Sequence, residues 1–252
     1  MNVGNTGTGT TGPSTIRTEH ISLAVDDGPP MGAYLARPEG PGPHPGVVVG
    51  MELFGVDAPV RAVCDHLAAL GHVALAPDFH HRTAPGCELP RDAAGRERGF
   101  ALLERMTRTT VISDVRTAVD HLRATGSPHV GMVGLSLGGH IAYLAATALD
   151  LSAVAVFYGG WLPTTDISLS RPEPTLSLTP SLSGRVLFLV GEHDHVVPPA
   201  HRRAVAEALR AAGVSHEMVV YPGVGHGFLQ TDPAAAADAW RRVCTAMSLQ
   251  QH

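Results

Sequence analysis

Long apolar runs are missing from this 252-residue sequence, and none approaches the ~18 consecutive apolar residues of a membrane span. The N-terminus has neither the basic region nor the apolar core of a secretory signal, so a cytoplasmic protein with no membrane partner is expected. Cysteine is scarce. Cys64, Cys87 and Cys244 are odd in number and widely scattered, which argues against a disulfide framework and fits a reducing compartment. Cys64 and Cys244 fall on apolar faces of predicted helices and read as core residues rather than nucleophiles. No basic cluster is present and the formal net charge is a mild −5, so nucleic acid is not an expected partner. Residues 1–14 offer little to bury and read as a disordered arm, leaving 15–249 as the folded domain.

What is present is a composition of 44% apolar and 16% charged residues, enough to bury a sizeable core. Two strands are predicted at 16–25 and 31–37, around a turn at 26–30. The apolar runs 47–51, 72–76, 130–135, 153–158, 185–190 and 217–221 read as further strands, the continuous ones as buried parallel strands. Helical periodicity separates them. Val60, Val63, Cys64, Leu67 and Leu70 share one face ending at Gly71, and further helical patterns run to Leu102, from Val111 to Leu122 and from Ala200 to Gly213. The last helix opens with Asp232 as N-cap and Pro233 at its first position, burying Trp240, Val243, Cys244 and Met247. A polar stretch spans 78–98, and a Pro/Ser/Thr-rich segment at 159–184 is too long for a simple connection. No repeat emerges. Alternating strands and helices predict an α/β chain with one mostly parallel sheet covered on both faces.

The chain is organised around Gly134-Leu135-Ser136-Leu137-Gly138, which joins a strand to a helix. Glycines two before and two after the serine allow a sharp turn that exposes its hydroxyl, and the following helix aims free N–H groups and its positive end at the same place. A nucleophilic serine needs a base, and the base needs a carboxylate to fix its tautomer. Chemistry in such sheets collects beyond the carboxyl ends of the strands. There the sequence offers Glu52-Leu53-Phe54-Gly55, Asp78 to Arg82, Asp194 and His226. The order Ser136, Asp194, His226, each after a strand, is that of α/β-hydrolases. Glu192 is a rival to Asp194, set earlier in the same turn. The pairs His80-His81 and His193/His195 lack the spaced partners of a zinc site, so no metal is expected.

Five blocks in register, around Met51 to Val56, Pro77 to Gly86, Gly134 to Gly139, Gly191 to Pro198 and Tyr221 to Phe228, resemble the dienelactone hydrolase family. The resemblance implies a single-domain α/β-hydrolase without a large cap, no cofactor, and a small-molecule ester or lactone as substrate. It implies an oxyanion hole formed by the backbone N–H groups of Leu53 and Leu137, and substrate contacts from Glu52, Phe54 and Arg82, the arginine meeting an acidic substrate. Two departures stand out. The founding enzymes use cysteine where this chain has Ser136, and a second arginine beyond the histidine is replaced by Gln230. Hydrolysis through an acyl-enzyme on Ser136 is the first expectation. The same triad used for acyl transfer, lactonisation or elimination is the second, and a non-enzymatic binding protein on this scaffold the third. The oligomeric state is not legible.

Overall fold

The computed structural model describes residues 15–248; the arm expected at 1–14 lies outside them. Strands β1 (Ile16–Leu23) and β2 (Met31–Pro38) form an antiparallel hairpin. Then follow β3 (Gly46–Gly50), β4 (Val73–Pro77), β5 (Val130–Leu135), β6 (Ala153–Phe157), β7 (Arg185–Gly191) and β8 (His216–Tyr221). They make one eight-stranded sheet in the order β1-β2-β4-β3-β5-β6-β7-β8. Strands β3 to β8 pair in parallel, and β2 runs antiparallel to β4. The continuous apolar runs are the reason: β3, β5 and β6 are buried along their whole length, as strands covered on both faces must be.

Helices α1 (Ala58–Ala69), α2 (Ala93–Leu103), α3 (Arg108–Ala124), α4 (Leu137–Ala146), α5 (Pro199–Ala211), α6 (Phe228–Thr231) and α7 (Pro233–Ser248) supply the covering layers. Their starts follow capping chemistry. Asp57, Asp92 and Thr107 accept from the N–H groups of Val60, Gly95 and Thr110, and Asp232 accepts from Ala235 at 2.8 Å. In α7, Val243 and Met247 are buried as expected, while Trp240 and Cys244 are only half-buried. Helix α2 begins inside the stretch 78–98 read as polar. It shows no apolar stripe because it packs through Gly95 and Gly99, where a methyl group would press on the Pro90 carbonyl and on Leu53. Among the described residues there is no separate cap domain. Segment 159–184 instead folds back with two short 3₁₀ turns, Ser168–Ser170 and Thr175–Ser181. No helix among the described residues is long and apolar enough to cross a membrane.

One contact places the centre of the site. Gly50 of β3 lies beside Gly134 of β5, and Gly138 of α4 sits directly against both. A Cβ on Gly138 would overlap the Gly50 carbonyl, and one on Gly134 would overlap the Gly138 carbonyl. Backbone therefore meets backbone at the strand-to-helix turn, which is the close approach glycine permits.

Candidate active site

Ser136 stands at that turn with φ 52° and ψ −109°, outside the range side chains ordinarily adopt. Its N–H donates to the Phe157 carbonyl at the end of β6 at 2.9 Å, and its carbonyl accepts from Gly139 at 2.9 Å and His140 at 3.2 Å. The strain is thus held from both sides. His226, in the loop after β8, brings Nε2 to 3.0 Å from Ser136 Oγ. Its Nδ1 lies 3.1 and 3.0 Å from the two oxygens of Asp194, in the loop after β7. A carboxylate only accepts, so Nδ1 carries the hydrogen and Nε2 is left to accept from the Ser136 hydroxyl. Asp194 also accepts from the N–H groups of Val196 at 2.8 Å and Val197 at 2.9 Å. Its burial works to raise the carboxyl's pKa. The hydrogen bond and charge of His226, with those two N–H groups, outweigh burial and hold it below the usual carboxylate range. Glu192, the rival, is half-exposed and accepts instead from Gly223 N–H at 2.9 Å.

Leu137 opens α4 directly after the serine, and Leu53, in the loop after β3, lines the same cavity as Ser136. The Leu53 carbonyl accepts from Nε2 of His80, a fully buried ring, at 3.1 Å. His81 is likewise engaged, with Nδ1 donating to the Pro29 carbonyl at 3.0 Å and Nε2 lying 3.2 Å from Asp114. Among the described residues no group of three His, Cys, Asp or Glu side chains is placed to hold a metal ion.

The cavity over Ser136 and His226 measures about 480 Å³, and its walls include Glu52, Phe54, Arg91, Phe100, Trp161 and Gln230. Arg82, expected among them, is turned elsewhere. Its guanidinium lies 2.8 Å from Asp27 and 2.6 Å from Asp114, tying the β1–β2 turn to α3. The buried carboxylate of Asp114 requires such a partner, and loop position alone does not reveal it. The arginine that meets Glu52 is Arg91, at 2.5 Å. Arg91 also donates through Nε to Asp57 at 2.8 Å and lies 4.8 Å above the Phe54 ring. Asp57 thereby serves two purposes, capping α1 and anchoring the arginine.

Three residues escaped the sequence reading. Tyr158 ends the β6 run with φ 43°, packs edge-on to His226 at 4.9 Å and donates its hydroxyl to Gln230 at 3.4 Å. Burial pushes that hydroxyl well above its usual pKa, with the charge of Glu52 acting the same way, so it stays neutral. Trp161 has φ 59° and follows Gly160, whose carbonyl is held by the third, His140. Only the Gly159-Gly160 pair after the strand hinted at a close turn.

His140 is fully buried on α4. Its Nδ1 donates to Gly160 O at 2.8 Å, and its Nε2 accepts from the Thr175 hydroxyl at 2.9 Å. Arg108 reinforces this tie by donating Nε to Leu169 O at 2.7 Å, and Tyr143 shares a 2.6 Å hydrogen bond with Thr179. Segment 159–184 is therefore fastened to α3 and α4. Burial depresses the His140 pKa from 6.5 to about 4, and the ring is neutral in the folded protein. Between those values the unfolded chain binds a proton that the folded chain refuses. The contribution of His140 is complete above about pH 6.5 and is lost progressively as pH falls toward about 4. Denaturant unfolding between pH 7 and 4 should show His140→Gln with a shallower acid loss than wild type, by up to ~1.4 kcal/mol per pH unit. Equal slopes would remove His140 as the cause.

The dienelactone hydrolase family model matches residues 31–250. A provisionally named carboxymethylenebutenolidase of Synechocystis is 33% identical over 221 residues, covering 84% of this chain and 89% of that protein. The carboxymethylenebutenolidase of Pseudomonas putida is 31% identical over 217 residues, covering 85% and 87%. Among solved structures, that of a provisionally named dienelactone hydrolase of Klebsiella pneumoniae superposes with TM-score 0.83 at 28% identity, over 94% of this chain and all of that one.

Proposed function

The chain belongs to the dienelactone hydrolase family, and from that premise we propose that it hydrolyses a carboxylic ester or lactone through an acyl-enzyme on Ser136. The observation that carries the reading is the unbroken hydrogen-bond run from Ser136 Oγ through the His226 ring to Asp194. In this reading Nε2 of His226 takes the hydroxyl proton as Oγ bonds to the substrate's carbonyl carbon. The N–H groups of Leu53 and Leu137 receive the oxyanion, and the hydrogen bond from His80 to the Leu53 carbonyl helps keep that loop in position. Collapse of the tetrahedral intermediate expels the alcohol oxygen, which takes the proton from His226. Water, deprotonated by the same ring, then releases the acid and restores Ser136. Asp194 keeps the imidazole in the required tautomer and stabilises its charged form. The names of the two carboxymethylenebutenolidases, which denote lactone hydrolases, support an ester or lactone as substrate.

The test is turnover of a chromogenic short-chain ester before and after treatment with a serine-reactive phosphonate. Loss of turnover should accompany one phosphonate mass on the peptide spanning Gly134 to Gly139. A mass on Cys87 or another peptide, with turnover lost all the same, would sink the assignment.

A further inference from the structure

The charges that frame the cavity are already matched. Arg91 is shared between the carboxylates of Glu52 and Asp57, and Arg82, which lies outside the cavity, between Asp27 and Asp114. A substrate anion reaching Arg91 would share it with those two carboxylates, and buried Glu52 cannot give the arginine up without leaving an unpaired charge away from water. Gln230, another polar residue of the wall, is neutral and engaged by Tyr158. Arg96 lies on the exposed rim, where solvent and salt screen its pull.

What the cavity offers uncommitted is aromatic surface. Phe100, on α2, is one of the few large apolar side chains left exposed, at 36%. It meets Trp161 edge-on, with centroids 5.9 Å apart and planes at 87°. The two rings approach from different elements, and their perpendicular planes form a corner open to the cavity. Trp161 is not there by chance of a loose loop. Its backbone sits in the left-handed region, which costs energy for a non-glycine residue, and the preceding carbonyl is fixed by buried His140. The strained backbone and the buried hydrogen bond beside it hold the half-buried ring at the cavity wall.

Resting on the ester-hydrolase reading above, we infer that the substrate is an uncharged ester carrying a flat apolar group, an aryl ring or its equivalent, seated in the corner formed by Phe100 and Trp161. A ring placed there gains edge-to-face contact and removes the Phe100 surface from water. A carboxylate on that ring has Arg96 as its cation, at the exposed edge where solvent screens the pair.

Three acetates of comparable leaving-group reactivity test this: ethyl, 2-naphthylmethyl and 6-carboxy-2-naphthylmethyl. Wild-type kcat/KM should favour the naphthylmethyl ester over the ethyl ester by about tenfold or more, and the added carboxylate should reverse most of that gain. In Trp161→Ala and Phe100→Ala the naphthylmethyl-to-ethyl ratio, an internal measure within each variant, should fall toward one. Phe100 is on an exposed helix face, so its variant remains informative if the Trp161 variant fails to fold. Equilibrium dialysis of the same esters against Ser136→Ala reads the corner without turnover. Tighter binding of the neutral naphthylmethyl ester supports the inference even if no ester is hydrolysed, an outcome that would overturn only the parent reading. Preference for the carboxylated ester, in rate or in binding, would overturn the inference while leaving the hydrolase reading intact. So would a ratio unchanged by both substitutions.

Discussion

Ser136→Ala should lower kcat for ester hydrolysis by about 10⁴-fold or more, with the far-ultraviolet circular dichroism unchanged. The size follows from removal of the hydroxyl oxygen that lies 3.0 Å from His226 Nε2. Little else is disturbed. The hydrogen bonds that hold the turn run through the Ser136 backbone to Phe157, Gly139 and His140, and alanine retains all of them. A kcat within tenfold of wild type would show that another group carries the acyl chain, and the mechanism would fall.

Asp194→Asn should be nearly as severe, about 10⁴-fold in kcat, for a reason the geometry makes specific. The oxygen that accepts from Val196 and Val197 must remain an oxygen, so the new amide would turn its NH₂ toward His226 Nδ1. Nδ1 would then accept, the hydrogen would move to Nε2, and the ring could no longer take the serine proton. Glu192→Gln should stay within about threefold of wild type, because the half-exposed Glu192 carboxylate faces Gly223 N–H and His193 rather than His226. The reverse pattern, a crippled Glu192 variant beside a mild Asp194 one, would exchange their roles. Despite its burial, the Asp194 carboxyl is held below its usual range by His226 and the two N–H groups, which keeps the charge that orients the imidazole.

Much of the sheet was legible because burial on both faces demands uninterrupted apolar runs, as in β3, β5 and β6. The turn at Ser136 was legible because glycine spacing is a backbone requirement written directly in residue type. The start of α2 was not, since a helix that packs through Gly95 and Gly99 has no apolar stripe to reveal it. Charge partners were the least visible. Arg82 and Arg91 lie nine positions apart in one polar stretch, and only the fold shows that Asp114 takes the first while Glu52 and Asp57 take the second. Ser136, Asp194 and His226 could be placed at strand ends and do meet in space, while Tyr158, His140 and Trp161 carried no motif.

The backbone contact among Gly50, Gly134 and Gly138 divides the site into parts that inheritance can treat separately. At Gly50, Gly134 and Gly138 the serine turn admits no new side chain without displacing backbone. The facing wall hangs from another stretch of chain, moored at His140 and Arg108, and its rings lie outside that glycine contact. A lineage on this scaffold would then diversify by rewriting its wall, with diet drifting from one ester to another while the chemistry stays constant.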